Sequence, residues 1–196
     1  MVAYRDIVAF VRDRVTEAVY AHCTATAETA ADLANHHGID SRRARDAALL
    51  HDVARSLDDA ALIKEAERFG IAPSLIERQA PVLLHARVGA KMVEQELGVT
   101  DSETVAAIVA HTTGARHMHV MARLVFVADY AEPTRNLPGA DEVRALLPER
   151  LDEALLSVVR RKIAYVMQSG GVVAPASIEL WNELAQTLSG TAGQTS

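Results

Sequence analysis

Apolar residues recur at intervals of three and four along almost the whole chain, and this spacing is typical of helices that bury one face. The first segment carries the pattern at Ile7, Val8, Val11, Val15 and Val19. We find no sustained alternation of apolar and polar residues, which a half-buried strand would show, and no internal repeat. The sequence therefore predicts an all-α fold, built as a bundle of helices.

Capping residues and helix breakers divide this pattern into segments. Asp40 or Ser41, Asp58, and Asp101 or Ser102 are suited to begin helices, and Gly38 is suited to end one. Pro73 predicts a short turn or helix, and residues 112–119 are predicted as a loop. Pro133 and Pro138-Gly139 are predicted to break the chain, and this region is the one plausible boundary within it. Helices are predicted over residues 2–19, 20–37, 41–52, 58–69, 81–97, 101–111, 121–130, 149–168 and 177–188.

The length of 196 residues favours a single domain with a substantial core. We predict that it spans residues 1–188, with the helices from about residue 140 packed on the main bundle. A homodimer face on these C-terminal helices is the alternative that the sequence leaves open. Residues 189–196 are polar and contain glycine, so they are predicted to be a disordered tail.

Composition and charge exclude several classes of function. The net charge of −6 and the aromatic content of 4% argue against a nucleic-acid polymer as partner. No apolar run approaches the roughly 20 residues of a membrane span, and charged residues such as Arg5 and Arg12 interrupt the N-terminal apolar positions that a signal peptide would need. Cys23 is the single cysteine, which fits a reducing compartment. The predicted location is the cytoplasm.

The feature that points to chemistry is the stretch Leu49-Leu50-His51-Asp52-Val53-Ala54, where an imidazole and a carboxylate are adjacent among apolar residues. His22, His85, His111 and Asp129 also lie among small or apolar neighbours. Buried His and Asp need partners, and such a mixed nitrogen and oxygen set suits first-row divalent cations. Any one of these residues taken alone is more simply a core or helix-end residue, and Asp129 is suited to cap the turn at Pro133.

The order His22, His51-Asp52, Asp129 resembles the H…HD…D pattern of the HD-domain metal phosphohydrolases. Further segments resemble the YqeK family of symmetrical bis(5'-nucleosyl)-tetraphosphatases over roughly residues 15 to 170. These segments are His85-Ala86-Arg87-Val88-Gly89-Ala90, Ala110-His111-Thr112-Thr113-Gly114 and Phe126-Val127-Ala128-Asp129-Tyr130-Ala131-Glu132-Pro133-Thr134-Arg135. One departure is Arg55, which stands where that family often has a lysine.

The resemblance implies an HD-domain helical bundle with a centre of two divalent metal ions, usually iron, with Mn, Co, Ni and Zn as alternatives. It implies cleavage of diadenosine tetraphosphate into two ADP by a metal-bound hydroxide, with Asp52 bridging the ions. The metal ligands carried over to this chain are His22, His51, Asp52, His85, His111 and Asp129.

The remaining site predictions concern the dinucleoside polyphosphate substrate. Asp52, Arg55 and His85 are predicted as catalytic. The predicted substrate-binding residues are Arg55, Arg87, Thr112, Thr113, Gly114 and Arg135. Arginines suit phosphate oxygens, although solvated surface charge is the plain alternative for each of them, and the threonines and Gly114 are equally suited to end a helix. The alternative functions are another HD phosphohydrolase, acting on a nucleoside monophosphate or an alarmone, and a non-catalytic nucleotide or metal sensor.

Overall fold

The computed structural model describes residues 2–192 and shows a bundle of helices. Within this range there are eleven α-helices, one 3-10 helix at Pro81–Leu83 and no strand, so the all-α prediction is confirmed. The α-helices are α1 (Tyr4–Arg12), α2 (Glu17–His36), α3 (Ser41–Leu50), α4 (Asp59–Arg68), α5 (Leu75–Gln79), α6 (Leu84–Gln95), α7 (Ser102–Ala110), α8 (Val120–Ala131), α9 (Ala140–Leu146), α10 (Leu151–Gln168) and α11 (Pro175–Ala192).

Side-chain caps begin most of the helices that form the main bundle. The Asp40 carboxylate accepts hydrogen bonds from the first backbone N–H groups of α3, and Asp58 and Asp101 do the same for α4 and α7. These carboxylates satisfy N–H groups that have no partner inside the helix, and their charge complements the helix dipole. The three aspartates are among the caps that the sequence predicts.

The contact between α2 and α3 is built from alanines. Small side chains let two helix backbones approach closely, and alanine loses no rotamer freedom on burial. On α2 the buried positions follow a spacing of three and four, as expected for one helix face. The buried alanines at this level are Ala27, Ala30, Ala31 and Ala34 on α2, and Ala44, Ala47 and Ala48 on α3. Helix α2 also packs on α8, and α7 contacts α3, α6 and α8.

The single helix predicted over residues 2–19 is wrong, because the structure ends α1 at Arg12 and begins α2 at Glu17. Thr16 makes the break: its hydroxyl accepts from the N–H of Val19, and its own N–H donates to the Ser56 hydroxyl at 2.9 Å. Because Val15 and Val19 still pack against the core, the apolar spacing continues across the break and hides it.

The C-terminal part of the chain differs from the prediction in two places. Helix α9 was not predicted, because the prolines and Gly139 around it indicate a loop; in the structure Gly139 has φ +75° and Val143 is buried. Helix α11 continues to Ala192, beyond the predicted end at Leu188. Residues 193–196 of the predicted tail lie outside the described part of the chain.

Helices α10 and α11 pack back on the main bundle. Leu155 and Val158 of α10, with Leu180 and Leu184 of α11, are buried in the same apolar core as Phe126 of α8. The single domain over residues 1–188 stays a prediction. The packing brings α10 next to the site described below. No helix between residues 2 and 192 has the length and apolar content needed to cross a membrane.

Candidate metal centre

The six predicted metal ligands come together from five separate parts of the bundle. Helix α2 carries His22 in its interior, and α8 carries Asp129 near its C-terminal end. The other four stand at helix termini: His51 and Asp52 follow α3, His85 lies in the first turn of α6, and His111 follows α7. All are buried except His22, whose side chain is 13% exposed. The set is therefore enclosed, with one edge near solvent.

The ligand atoms form two groups that Asp52 joins. Oδ1 of Asp52 lies 3.1 Å from Nε2 of His85 and 3.3 Å from Nε2 of His111. Its Oδ2 faces the other way and lies 3.5 Å from Nε2 of His51. In that second group, Oδ1 of Asp129 lies 3.1 Å from Nε2 of His22 and 3.6 Å from Nε2 of His51. The two carboxylate oxygens of Asp52 therefore serve different groups of imidazoles.

Each of the four imidazoles turns its Nδ1 toward an oxygen acceptor. Nδ1 of His51 lies 2.6 Å from the carbonyl of Ala48, and Nδ1 of His111 lies 2.7 Å from the carbonyl of Ile108. These carbonyls belong to the last turns of α3 and α7, where backbone acceptors lack helical partners. His85 contacts the carbonyl of Val82 in the same way. The position of each histidine at a helix terminus thus fixes its ring and aims Nε2 into the site.

His22 is the exception, because the acceptor that faces its Nδ1 belongs to a side chain and not to a backbone carbonyl. Oε1 of Glu132 lies 3.1 Å away, and the Glu132 side chain is almost fully buried. A carboxylate in this position orients a ligating imidazole and raises its basicity. In the neutral form these rings therefore carry their proton on Nδ1, opposite an oxygen acceptor, and the Nε2 lone pairs face inward.

This arrangement calls for a cation. Two of the inward-facing atoms, Nε2 of His51 and Oδ1 of Asp52, are fully buried and have no hydrogen-bond partner among the described residues. Nε2 of His85 and Nε2 of His111 are 3.0 Å apart, and the single hydroxyl proton of Thr112 can serve one of them at a time. Lone pairs and carboxylate oxygens packed in this way repel one another unless positive charge lies between them. The residues therefore fit a divalent metal ion.

The pKa shifts agree with a demand for positive charge. Burial alone would raise the pKa of Asp52 and Asp129, yet the charges of His51 and Lys162 hold both well below the usual value. Burial would lower the pKa of His51, but the adjacent Asp52 carboxylate raises it well above normal. For His111, burial outweighs the hydrogen bond and the charge of Asp52, so its pKa falls to about 4 and the ring is neutral at pH 7. The proton that Asp52 holds on His51 occupies the place of positive charge that a metal ion would take, because neutral imidazole and ionised carboxylate are the states that bind metal.

Comparison with known proteins places this geometry in a family. The HD domain family model matches residues 19–134, which is more than half of the chain. The chain belongs to the HD-domain family. All six candidate ligands of this HD-domain protein lie within the matched residues, and the resemblance predicted from its motifs is confirmed.

Several relatives match nearly the whole length of the chain. A symmetrical bis(5'-nucleosyl)-tetraphosphatase from Bacillus subtilis is 34% identical over 179 residues, which cover 91% of this chain and 96% of the relative. One from Staphylococcus aureus is 30% identical and covers 87% and 89%. A crystal structure of a predicted HD superfamily hydrolase involved in NAD metabolism, from Clostridium acetobutylicum, has a TM-score of 0.90 at 30% identity and covers 95% of this chain and 99% of that one.

Two of the predicted substrate-binding residues of this HD-domain protein touch the ligand set. Arg135 donates from Nη2 to Nε2 of His22 at 2.8 Å and to Oδ1 of Asp129 at 3.1 Å. Arg144 supports the segment that carries Arg135 by donating to its carbonyl at 2.7 Å. The Thr112 hydroxyl lies 2.9 Å from Nε2 of His111. A guanidinium and a hydroxyl are therefore present next to the candidate metal ligands.

Thr113 and Gly114 follow Thr112 but face α11. The Thr113 hydroxyl makes a local hydrogen bond to the Gly114 carbonyl at 3.3 Å. Gly114 has φ +73°, and a Cβ at this position would come within 2.4 Å of Cδ2 of Leu180. The glycine is thus required by the backbone conformation and by the close approach of α11. A role in binding substrate stays a prediction for both residues.

Two other predicted residues do not contact the six ligands. Arg87 forms an ion pair with Glu77 at 2.9 Å and donates to the Ala72 carbonyl. Arg55 is exposed on the turn after Asp52, and its side chain makes no hydrogen bond or ion pair with any described residue. Their roles toward phosphate stay predictions.

Two charged side chains that the sequence did not single out contact the candidate ligands. One is Glu132, which follows Asp129 by three residues and receives His22. The other is Lys162 of α10, whose Nζ lies 3.3 Å from Oδ2 of Asp129. The run Arg160-Arg161-Lys162 resembles solvated charge in sequence. A signal was present nevertheless, because Lys162 follows the buried Leu155 and Val158 by seven and four residues, on the same helix face.

Proposed function

We propose that this protein hydrolyses diadenosine tetraphosphate symmetrically, to two ADP, at a centre of two divalent metal ions. The observation that carries the proposal is the inward-facing set of four imidazole Nε2 atoms and two carboxylates, with buried atoms that have no partner within residues 2–192. The chemical class follows from relatives named symmetrical bis(5'-nucleosyl)-tetraphosphatase, which match about nine-tenths of the chain.

The grouping of the ligand atoms supports two ions. One would be held by His22, His51 and Asp129. The other would be held by His85 and His111, whose Nε2 atoms lie near Oδ1 of Asp52, while Oδ2 of Asp52 lies near His51 and places this carboxylate between the two ions. Imidazole and carboxylate ligands without a thiolate suit iron, manganese, cobalt, nickel and zinc. Among these we favour iron, as the family resemblance implies.

The chemistry is addition of water across a phosphoanhydride. When bound, the two ions supply an activated water and positive charge for the phosphoryl oxygens. Symmetry requires that the water oxygen bond to one of the two central phosphorus atoms while that phosphorus loses its bond to the oxygen that joins the two central phosphorus atoms. The first ADP keeps the oxygen of water, the second keeps the joining oxygen, and the protons of water pass to these phosphates or to solvent. ADP then leaves on each side. The chain must therefore place the middle of the polyphosphate, and not an end, against the ligand set.

The residues around the ligands are suited to that placement. Arg135 presents a guanidinium whose side chain is 33% exposed at the edge of the site, where a phosphate can reach it. Thr112 offers a hydroxyl inside the site. Arg55 is exposed one turn after Asp52, so its guanidinium is available for a more distant phosphate. Arg87 would first have to leave Glu77, which makes it the weakest of the proposed phosphate ligands.

Product analysis tests the proposed reaction. Purified protein supplied with Fe²⁺ or Mn²⁺ should convert diadenosine tetraphosphate to ADP alone, and the Asp52→Asn variant should lose turnover because the residue between the two ligand groups is changed. Asp32→Asn is the matched control, since it removes an exposed carboxylate with no partner in the described part of the chain. Formation of AMP and ATP would contradict symmetric cleavage, and a metal-loaded protein without turnover would indicate a sensor.

A further inference from the structure

Lys162 reaches the candidate metal centre from outside the stretch that matches the HD domain. That match ends at residue 134, whereas Lys162 lies on α10. Its Nζ is 3.3 Å from Oδ2 of Asp129 and 3.0 Å from the carbonyl oxygen of His111. The ammonium also lies over the Phe126 ring, 4.2 Å from its centroid, a contact that favours a cation. These three contacts together hold the flexible side chain of Lys162 in place.

The contact divides the Asp129 carboxylate into two unlike oxygens. Oδ1 faces His22, His51 and Arg135, on the ligand side. Oδ2 faces Lys162. Rotation about the terminal torsion of an aspartate is soft and would exchange or share these oxygens. An ammonium on one oxygen opposes that rotation and keeps the other oxygen pointed at the imidazoles.

The second contact joins the two ligand groups. His111 follows the last residue of α7, so its carbonyl is among the acceptors left without a helical partner. Lys162 satisfies this carbonyl with the same ammonium that binds Asp129. The backbone that carries one candidate ligand is thereby tied to the side chain of another, in the other group.

Neighbouring cations on α10 do not share this role. Arg160 is exposed, and Arg161 pairs with Glu142 and the carbonyl of Pro138. Lys162 alone of the three falls on the helix face that carries Leu155, Val158 and Val159 into the core.

We infer that Lys162 is a positioning residue of the metal centre, which fixes Asp129 in a one-oxygen orientation and ties it to His111. The inference rests on the proposed metal centre. Helix α10 thereby contributes a side chain to the site, because Lys162 lies outside the residues that match the HD domain. The lysine acts through Asp129 and His111 and does not need to touch the substrate.

The test compares Lys162→Met with Arg160→Met. Both remove one positive charge from α10, but only the first removes the contacts to Asp129 and His111. Mn²⁺ binding is measured by calorimetric titration of the full chain. Lys162→Met should weaken affinity by about 10- to 100-fold, as the loss of an outer partner of a metal ligand typically does. Arg160→Met should bind as the unsubstituted protein does, and Lys162→Arg should recover part of the loss because it keeps the charge.

Kinetics at saturating metal separate positioning from phosphate binding. Lys162→Met should lower kcat and leave KM for diadenosine tetraphosphate unchanged. Unchanged Mn²⁺ affinity, an equal loss in Arg160→Met, or a rise confined to KM would each overturn the inference. If the unsubstituted protein binds no Mn²⁺, the proposed metal centre itself fails. Lys162→Gln is the second variant if Lys162→Met does not fold, as judged by helical circular dichroism without metal.

Discussion

Glu132 shows how a single buried side chain supports the candidate centre. Its Oε1 accepts hydrogen bonds from Nδ1 of His22 at 3.1 Å and from the Thr134 hydroxyl at 2.7 Å. Its Oε2 accepts a hydrogen bond from the Thr134 N–H. Burial would raise the pKa of Glu132, but the hydrogen bonds from Thr134 and His22 lower it below normal. The residue is therefore an ionised carboxylate that accepts three hydrogen bonds.

We expect Glu132→Gln to weaken both metal binding and stability. The amide keeps one acceptor oxygen, and its NH2 group must face a donor that now has no partner, at a cost of about 1–3 kcal/mol in the free energy of unfolding. Affinity for Mn²⁺ should fall by about tenfold or more because His22 loses its orienting carboxylate. Titration and urea unfolding measure the two effects. Glu67→Gln, on the exposed face of α4, is the control. Equal behaviour of the two variants would refute the role of Glu132.

At the scale of elements, α11 holds the loop that follows His111. The Ser177 hydroxyl donates to the Thr113 carbonyl at 2.7 Å, and a Glu183 oxygen accepts from the His117 N–H at 2.9 Å. Leu180 packs against Gly114 between these two contacts. The position of Thr112 beside the imidazoles thus depends on a helix far along the chain.

Gly114→Ala tests this packing against Gly38→Ala. Both glycines have positive φ, +73° and +64°, so both variants carry the strain of a left-handed alanine, about 1–2 kcal/mol. A Cβ on Gly38 would point into open space, whereas a Cβ on Gly114 would meet Leu180. The free energy of unfolding in urea should therefore drop further for Gly114→Ala, by about 1–3 kcal/mol more. Equal losses of unfolding free energy in the two variants would show that α11 moves away from the added methyl group without destabilising the protein.

The start of α7 gives a prediction about pH. Burial would raise the pKa of Asp101, but hydrogen bonds from Arg43 and Thr104 outweigh burial and lower the pKa. Because the folded-state pKa lies below the unfolded value of about 3.9, ionised Asp101 stabilises the fold fully above that value. The stabilisation is lost as the pH falls through the folded-state pKa.

Asp101→Asn isolates this effect, because asparagine still caps a helix but cannot titrate. Between pH 6 and pH 3 the urea midpoint of the unsubstituted protein should fall more than that of the variant. The metal ligands titrate equally in both proteins, so their contribution cancels in the difference. Parallel pH profiles would contradict a stabilising charge on Asp101.

At the scale of the whole molecule, the sequence predicts the features that depend on neighbouring residues and misses those that depend on contacts between distant parts of the chain. The helical class and three aspartate caps follow from spacing and capping rules, and the candidate ligands follow from the physical chemistry of His and Asp among apolar neighbours together with the family resemblance. The break at Thr16 depends on a hydrogen bond to Ser56, forty residues away. Helix α9 forms in a stretch whose prolines and glycine indicate a loop. The helix spacing places Lys162 on the buried face of α10, but its contact with Asp129 depends on tertiary packing that the local pattern does not give.

The central claim is that four imidazoles and two carboxylates from five parts of the chain hold two metal ions. Metal content per chain tests it most directly, by elemental analysis of protein purified after growth with iron and again after loading with Mn²⁺. We expect two ions per chain in the unsubstituted protein, fewer in the Asp52→Asn variant and an unchanged number in Asp32→Asn. A protein that cleaves diadenosine tetraphosphate to ADP while containing no metal would contradict it.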